Sequence, residues 1–203
     1  PLADLPANLP TVIPIFPLQG ALLLPKGQLP LNIFEPRYVA MTEDAIAGDR
    51  VIGMIQPRVK EKIDPADTPD IYQIGCLGRI TSFDETSDGR YLISLSGVCR
   101  FRVAKELSTV RGYRRVEADY APFASDFEPA EDEELARARL LKTLRAYLDS
   151  RGLQADWGAI SDTETGELVA VLAMLCPFGA TEKQALLEAE GPAGRRDTMI
   201  SLF

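Results

Sequence analysis

The feature that most constrains this chain is a change of texture near residue 125. Residues 11–120 carry short apolar stretches rich in Val, Ile and aromatics, punctuated by Pro and Gly, which is the pattern of many short strands. Residues 131–203 are rich in Ala, Leu, Glu and Arg at three- and four-residue spacing, which is helical. Strands that precede helices give a segregated α+β architecture rather than alternating βαβ units. The join at residues 121–129 holds Pro122 and Pro129 and reads as a linker. The expected organisation is a β subdomain over residues 1–124 and a helical subdomain over 125–203, together one module.

Within the β part, residues 11–16, 22–24, 28–34, 51–56, 71–83, 91–98, 101–107 and 113–120 read as strands. Pro14 places part of the first on an edge or at a bulge. Pro36 fits a helix N1 position, and the helix it opens is expected to stop at Gly48. Asp88-Gly89 is a turn signal that makes a hairpin of its flanking strands. Six or more antiparallel strands would hide their edges by closing into a small barrel.

In the helical part, residues 131–150 form one long helix, acidic at its start and basic later, in accord with the helix dipole. Leu135, Ala138, Leu141, Leu144 and Leu148 mark its expected buried stripe. Ser161 to Glu164 and Thr181 to Gln184 fit capping boxes that open two further helices. Gly191-Pro192-Ala193-Gly194 reads as a turn before a last helix over 195–202. Trp157 is expected to anchor the bundle.

Composition excludes several chemistries. The 203 residues contain no histidine, so Ser-His-Asp and Cys-His catalysis and His-ligated zinc are ruled out. Cys76, Cys99 and Cys176 are too few for a four-thiolate site and form no C-x-x-C pair, so they read as buried thiols of a reducing, cytoplasmic protein. The net charge of −8 argues against nucleic acid. The longest apolar run, residues 168–175, falls well short of the ~20 residues a membrane span needs. The first ten residues show no leader pattern. They also lack an initiating Met, so the natural start is expected upstream.

Ile13-Pro14-Ile15-Phe16-Pro17-Leu18 followed by residues 30–38, Pro-Leu-Asn-Ile-Phe-Glu-Pro-Arg-Tyr, resembles the N-terminal, substrate-binding domain of ATP-dependent Lon protease. The resemblance continues through residues 75–80, 88–91, 95–103 and 182–188, and so covers about residues 11–203. The same module occurs in cereblon-type proteins and in stand-alone bacterial Lon-domain proteins. The resemblance implies a PUA-like β pseudo-barrel with one early helix, followed by a C-terminal helical bundle. It implies a non-catalytic role: holding unfolded or exposed protein segments, with a separate protease or chaperone as a further partner. No G-x-x-x-x-G-K-[ST] phosphate loop occurs here, and Gly191 to Gly194 lacks the nucleophile of Lon's protease motif, so neither ATPase nor peptidase activity and no cofactor is expected.

Phe16, Leu22, Leu24, Phe34, Arg37, Tyr38 and Met54 are the candidate peptide-binding residues. Their apolar surface exceeds what a short strand pair needs inside, and Glu35-Pro36-Arg37-Tyr38 is the strongest local signature. The same residues could equally be barrel core and a fixed helix start. Glu35, Glu43 and Asp44 lie near one another in sequence, but their spacing does not distinguish a catalytic pair from surface charge and assigns no reaction. Two alternatives are an RNA-binding PUA-like protein using Arg100, Arg102, Arg111, Arg114 and Arg115, and a small hydrolase. The first requires a contiguous basic face. The second requires a deep polar pocket. The acidic run 126–134 reads as a solvated linker.

Overall fold

A computed structural model describes residues 9–58, 69–128 and 134–203. The absence of a leader over residues 1–8 and the acidic helix start at 131–133 lie outside the described residues. The order is β1 (Val12–Pro17), β2 (Gln28–Ile33), α1 (Pro36–Ala47), β3 (Val51–Ile55), β4 (Ile74–Glu85), β5 (Tyr91–Val110) and β6 (Tyr113–Asp119). A 3₁₀ helix (Ala121–Phe127) leads to α2 (Glu134–Ser150), α3 (Trp157–Asp162), α4 (Thr165–Leu175), α5 (Ala180–Glu188) and α6 (Gly191–Leu202). The class is α+β, as the sequence implies.

Five strands close a ring. Its circuit is β1-β3-β4-β5-β6, completed by β5 pairing with β6, and β2 hangs on the outside of β5. The ring is not wholly antiparallel as expected. β1 runs parallel to β3, because the β2–α1 excursion between them is a crossover. Nor is β1 an edge strand: β6 flanks its other side. Pro14 is tolerated because β3 joins only from Ile15 onward, leaving Pro14 opposite Arg115 alone.

The two strands expected at 91–98 and 101–107 are one twenty-residue strand, β5. Its first half pairs with β2 and β4, and its second half curls away to pair with β6. Register shifts on both sides supply the curl. Gly97 sits in the middle for a steric reason. A Cβ there would lie 1.9 Å from the Leu24 carbonyl oxygen. The bare backbone admits the segment before β2, with the Lys26 amide donating to the Gly97 carbonyl and the Gly97 amide to the Gly27 carbonyl. Leu22 to Leu24 are accordingly a buried coil, not the strand expected.

Alternation along the ring separates two cores. Ile13, Ile15, Val51, Leu77, Cys99, Phe101 and Val116 point inward and fill the barrel. Phe101 is fully buried, and the space for its ring exists because Gly53 and Gly75 carry no side chain. Phe16, Ile52, Met54, Cys76, Ile80 and Leu95 face outward, beneath α1 and the C-terminal helices. Both faces of β3 are therefore covered, which explains its unbroken apolar run.

α1 begins at Pro36 as read from the sequence, and Gly48 is its C-cap. The left-handed residue that follows is Arg50 (φ 58°), which donates to the Ala45 carbonyl. In α2 the buried residues are Leu140, Leu144 and Tyr147; of the expected stripe Leu144 is buried, Leu141 and Leu148 pack partly buried on the core, and Leu135 and Ala138 are exposed. The expected cap at Ser161 lies inside α3, where the hydroxyl donates to the Trp157 carbonyl, and α4 starts after Glu164. α5 is capped at Gly179, two residues before the expected cap at Thr181, its Glu182 carboxylate accepting the Gly179 amide at 2.7 Å. Residues 191–194 are the first turn of α6 rather than a connecting turn.

Candidate binding surface

β2 is the terminal strand of the sheet, paired with β5 and, among the described residues, open on its other side. Its inward residues Leu29, Leu31 and Ile33 pack on the core, so Pro30, Asn32 and the following Phe34 face out. Phe34 is 62% exposed, and the Arg90 guanidinium lies 5.8 Å from its ring. On β5, Leu92 is 44% exposed directly opposite Asn32. Pro30, Asn32, Leu92, Ser94, Ser82 and Asp84 frame a shallow groove of about 400 Å³ across β2, β5 and β4. An open strand edge beside apolar side chains offers main-chain hydrogen bonds and apolar contact to an extended chain. Pro30 withholds one donor from that edge, which also limits uncontrolled pairing.

Of the seven residues read from the sequence, Phe34 and Arg37 reach the surface, and none of the seven lines this groove. Phe16, Leu22, Leu24, Tyr38 and Met54 are core. Phe16 stacks on Tyr38 with ring centroids 4.1 Å apart, and burial, the largest influence, pushes the Tyr38 phenol up. Arg37 lies 4.6 Å over the outer side of Tyr38 and pairs with Glu35 at 2.9 Å, so Glu35 to Tyr38 is a braced strand-to-helix turn. Leu92 is the residue that sequence reasoning missed. Its signal was the alternation around Ile93 and Leu95, which places it on the outer face.

Three of the five arginines are held by carboxylates of the chain itself. Arg111 is gripped by Glu43 and Asp44 of α1 at 2.7 and 2.6 Å, and Arg114 by Glu106. Arg100 is buried. Its guanidinium meets Asp126 at 2.9 Å and donates to the Leu187 and Ala189 carbonyls at the end of α5, at 3.3 and 2.6 Å. Arg195 of α6 adds a second cation to the same carboxylate at 3.3 Å. Asp126, read as a solvated linker residue, is therefore the buried joint between strand, 3₁₀ helix and bundle. Burial lowers the Arg195 pKa, partly countered by Asp126.

The three carboxylates weighed for acid–base chemistry are all engaged. Glu35 holds Arg37, Glu43 also accepts from the Tyr91 hydroxyl, and Asp44 accepts from the Tyr113 hydroxyl at 2.8 Å. Burial holds the Cys99 thiol up at about 12 and the Cys76 thiol well above its ordinary value, so neither is a nucleophile near neutral pH. Among the described residues no cluster of Cys, Asp and Glu is placed to hold a metal. No helix among them is long and apolar enough to cross a membrane.

Residues 12–202 match the family model described as the ATP-dependent protease La (LON) substrate-binding domain. The chain belongs to that family. It is 28% identical over 97% of its length to Lon protease 2 of Myxococcus xanthus, and 26% identical over 97% to Lon protease of Anaeromyxobacter dehalogenans. It spans about a quarter of the length of these curated relatives. Among solved structures, a Lon N-terminal domain protein from Xanthomonas campestris aligns over 94% of this chain and 98% of its own, with 26% identity and a TM-score of 0.62. The N-terminal domain of Mycobacterium avium complex Lon protease shares the fold at 17% identity and a TM-score of 0.65, over 94% of this chain and 96% of its own. The homology is to the substrate-binding domain, not to the catalytic part of Lon.

Proposed function

We propose that this LON substrate-binding domain is a non-catalytic module that holds unfolded or exposed protein segments along the open edge of β2 and across the Phe34–Leu92 surface. The observation that carries this reading is the family match over residues 12–202. The supporting geometry is an unpaired strand edge beside exposed apolar side chains. Such a surface suits varied clients, because main-chain hydrogen bonds supply affinity without demanding a sequence. The client is handed to a protease or chaperone, either as a separate partner or elsewhere in the same polypeptide.

Anisotropy titration with a fluorescein-labelled, reduced and alkylated protein tests the proposal. Micromolar binding is expected, weakened about tenfold or more by Phe34→Asp or Leu92→Asp at unchanged melting temperature. Absence of binding at high micromolar concentration, or equal affinity of both variants, would overturn it.

A further inference from the structure

A second groove lies on the opposite kind of surface, between α2 and α6. It is lined by Leu135, Ala138, Arg139 and Lys142 of α2 and by Arg196, Asp197 and Ile200 of α6, so that three cations face one carboxylate, and it encloses about 620 Å³. Leu135 is 85% exposed, the most exposed large apolar side chain among the described residues. Leu135, Ala138 and Lys142 stand at i, i+3 and i+7, so they share one face of α2.

The charges along α2 divide in an informative way. Arg137 donates to the Thr165 hydroxyl and to the Ile160 and Ser161 carbonyls, bracing the end of α3. Arg145 lies 4.3 Å over the Trp157 ring. Those two cations are consumed inside the molecule. Arg139 and Lys142 make no ion pair among the described residues, and both line the groove. Arg196 adds a third cation, in contact with Asp197 at 3.2 Å. A chain of net charge −8 thus gathers cations around one apolar floor.

From this juxtaposition we infer that the α2–α6 groove is a docking site for an acidic amphipathic helix of a partner protein. The walls decide the conformation of the occupant. Both are helices with internally satisfied backbones, so the groove offers side chains and no strand edge. An extended peptide would gain no main-chain partner there, whereas a helix satisfies its own backbone and brings an apolar stripe. The cations decide its charge. Long-range repulsion from the acidic remainder is screened within about 8 Å at physiological salt, so the local basic rim governs the contact. The inference is independent of the β2 surface, which suits extended chains.

The test is anisotropy of a fluorescein-labelled helical peptide of about 18 residues, with Leu at three- and four-residue spacing and Glu elsewhere. Controls replace Glu by Lys, or place Pro at the centre. The Glu peptide is expected to bind at micromolar concentration. Binding should weaken about tenfold in Leu135→Asp and in the double variant Arg139→Glu with Lys142→Glu, and persist in Phe34→Asp. Equal affinity for the Lys or Pro peptide, or no effect of Leu135→Asp, would overturn the proposal. So would self-association of the protein, or retention on phosphatidylserine vesicles, that Leu135→Asp abolishes while the Glu peptide fails to bind. Loss of peptide binding in Phe34→Asp would also overturn it, since the two surfaces would then be one.

Discussion

Inside the ring, Ile13, Ile15, Val51, Leu77, Phe101 and Val116 pack against other strand residues and their flanks. Leu140, Leu144, Leu168, Val169, Leu186 and Met199 of the helices share one continuous core with Phe16, Leu22 to Leu24, Met54 and Cys76 on the outside of the barrel. The barrel owns its core and the helices borrow theirs. The difference follows from closure: a sheet that curls on itself makes an inside, whereas short helices need a foreign face to complete one. It also explains where function can sit. Among the described residues the sheet's unpaired flank is β2, and α2 and α6, packed toward the barrel on one side, line a groove on the other.

The comparison breaks most severely at Gly97. A Val there would drive its Cβ into the Leu24 carbonyl and expel the segment that gives Leu22 to Leu24 to the core shared by barrel and helices. Gly97→Val is expected to cost about 4 kcal/mol or more, read by chemical denaturation, or to abolish soluble expression. Wild-type stability in that variant would refute the close approach.

Asp126 tests the seam between the two regions. Asp126→Asn leaves Arg100 and Arg195 buried without their carboxylate, at a cost of about 3–5 kcal/mol. Combining it with Arg195→Met should cost less than the sum of the single changes, because one of the two stranded cations is gone. Strict additivity in that cycle would mean the three groups are not coupled.

The smallest effect sharpens the contrast through the thiols. Burial raises all three, with Cys99 inside the barrel held at about 12. A thiol whose folded pKa lies above its ordinary 9.0 stabilises the fold fully below about pH 9, and that contribution is lost as pH rises toward about 12. Melting temperature should therefore fall across that alkaline window. With a thiol reagent at about pH 8, Cys176 should label through local opening of the helices, ahead of Cys76 and Cys99. Simultaneous labelling of all three would show that barrel and helices open together.

Local signals in the sequence were reliable where the cause was local. Pro36 opens α1, and Asp88-Gly89 turns β4 into β5, with the Gly89 amide donating to Thr86. Signals failed where the cause lay far along the chain. The apolar pattern suggests a break between residues 98 and 101, yet β5 runs through it, and the segment that Gly97 admits lies more than seventy residues earlier. Arg100 reads as one of a basic cluster because Asp126 and the end of α5 lie 26 and nearly 90 residues away. For the candidate site, apolar character located the right stretch of chain but not the side each residue faces. Phe16 and Phe34 are equally apolar, and only the sheet's closure decides that one is core and the other surface.

Arg100 has a consequence in time as well as in space. The strand that carries it can pair with its neighbours once residue 119 exists, yet its guanidinium reaches the Ala189 carbonyl across 89 residues of sequence. Gln56 and Lys183 tie the same end of the chain to the first strands, through the Ala180 carbonyl and the Gly20 carbonyl. Contacts of such long sequence separation form late and make folding slow. A nascent chain short of residue 189 holds a barrel with a charged group in its wall still lacking part of its bonding. Residues 180–189 therefore act as the latch on a structure whose strands were drawn much earlier.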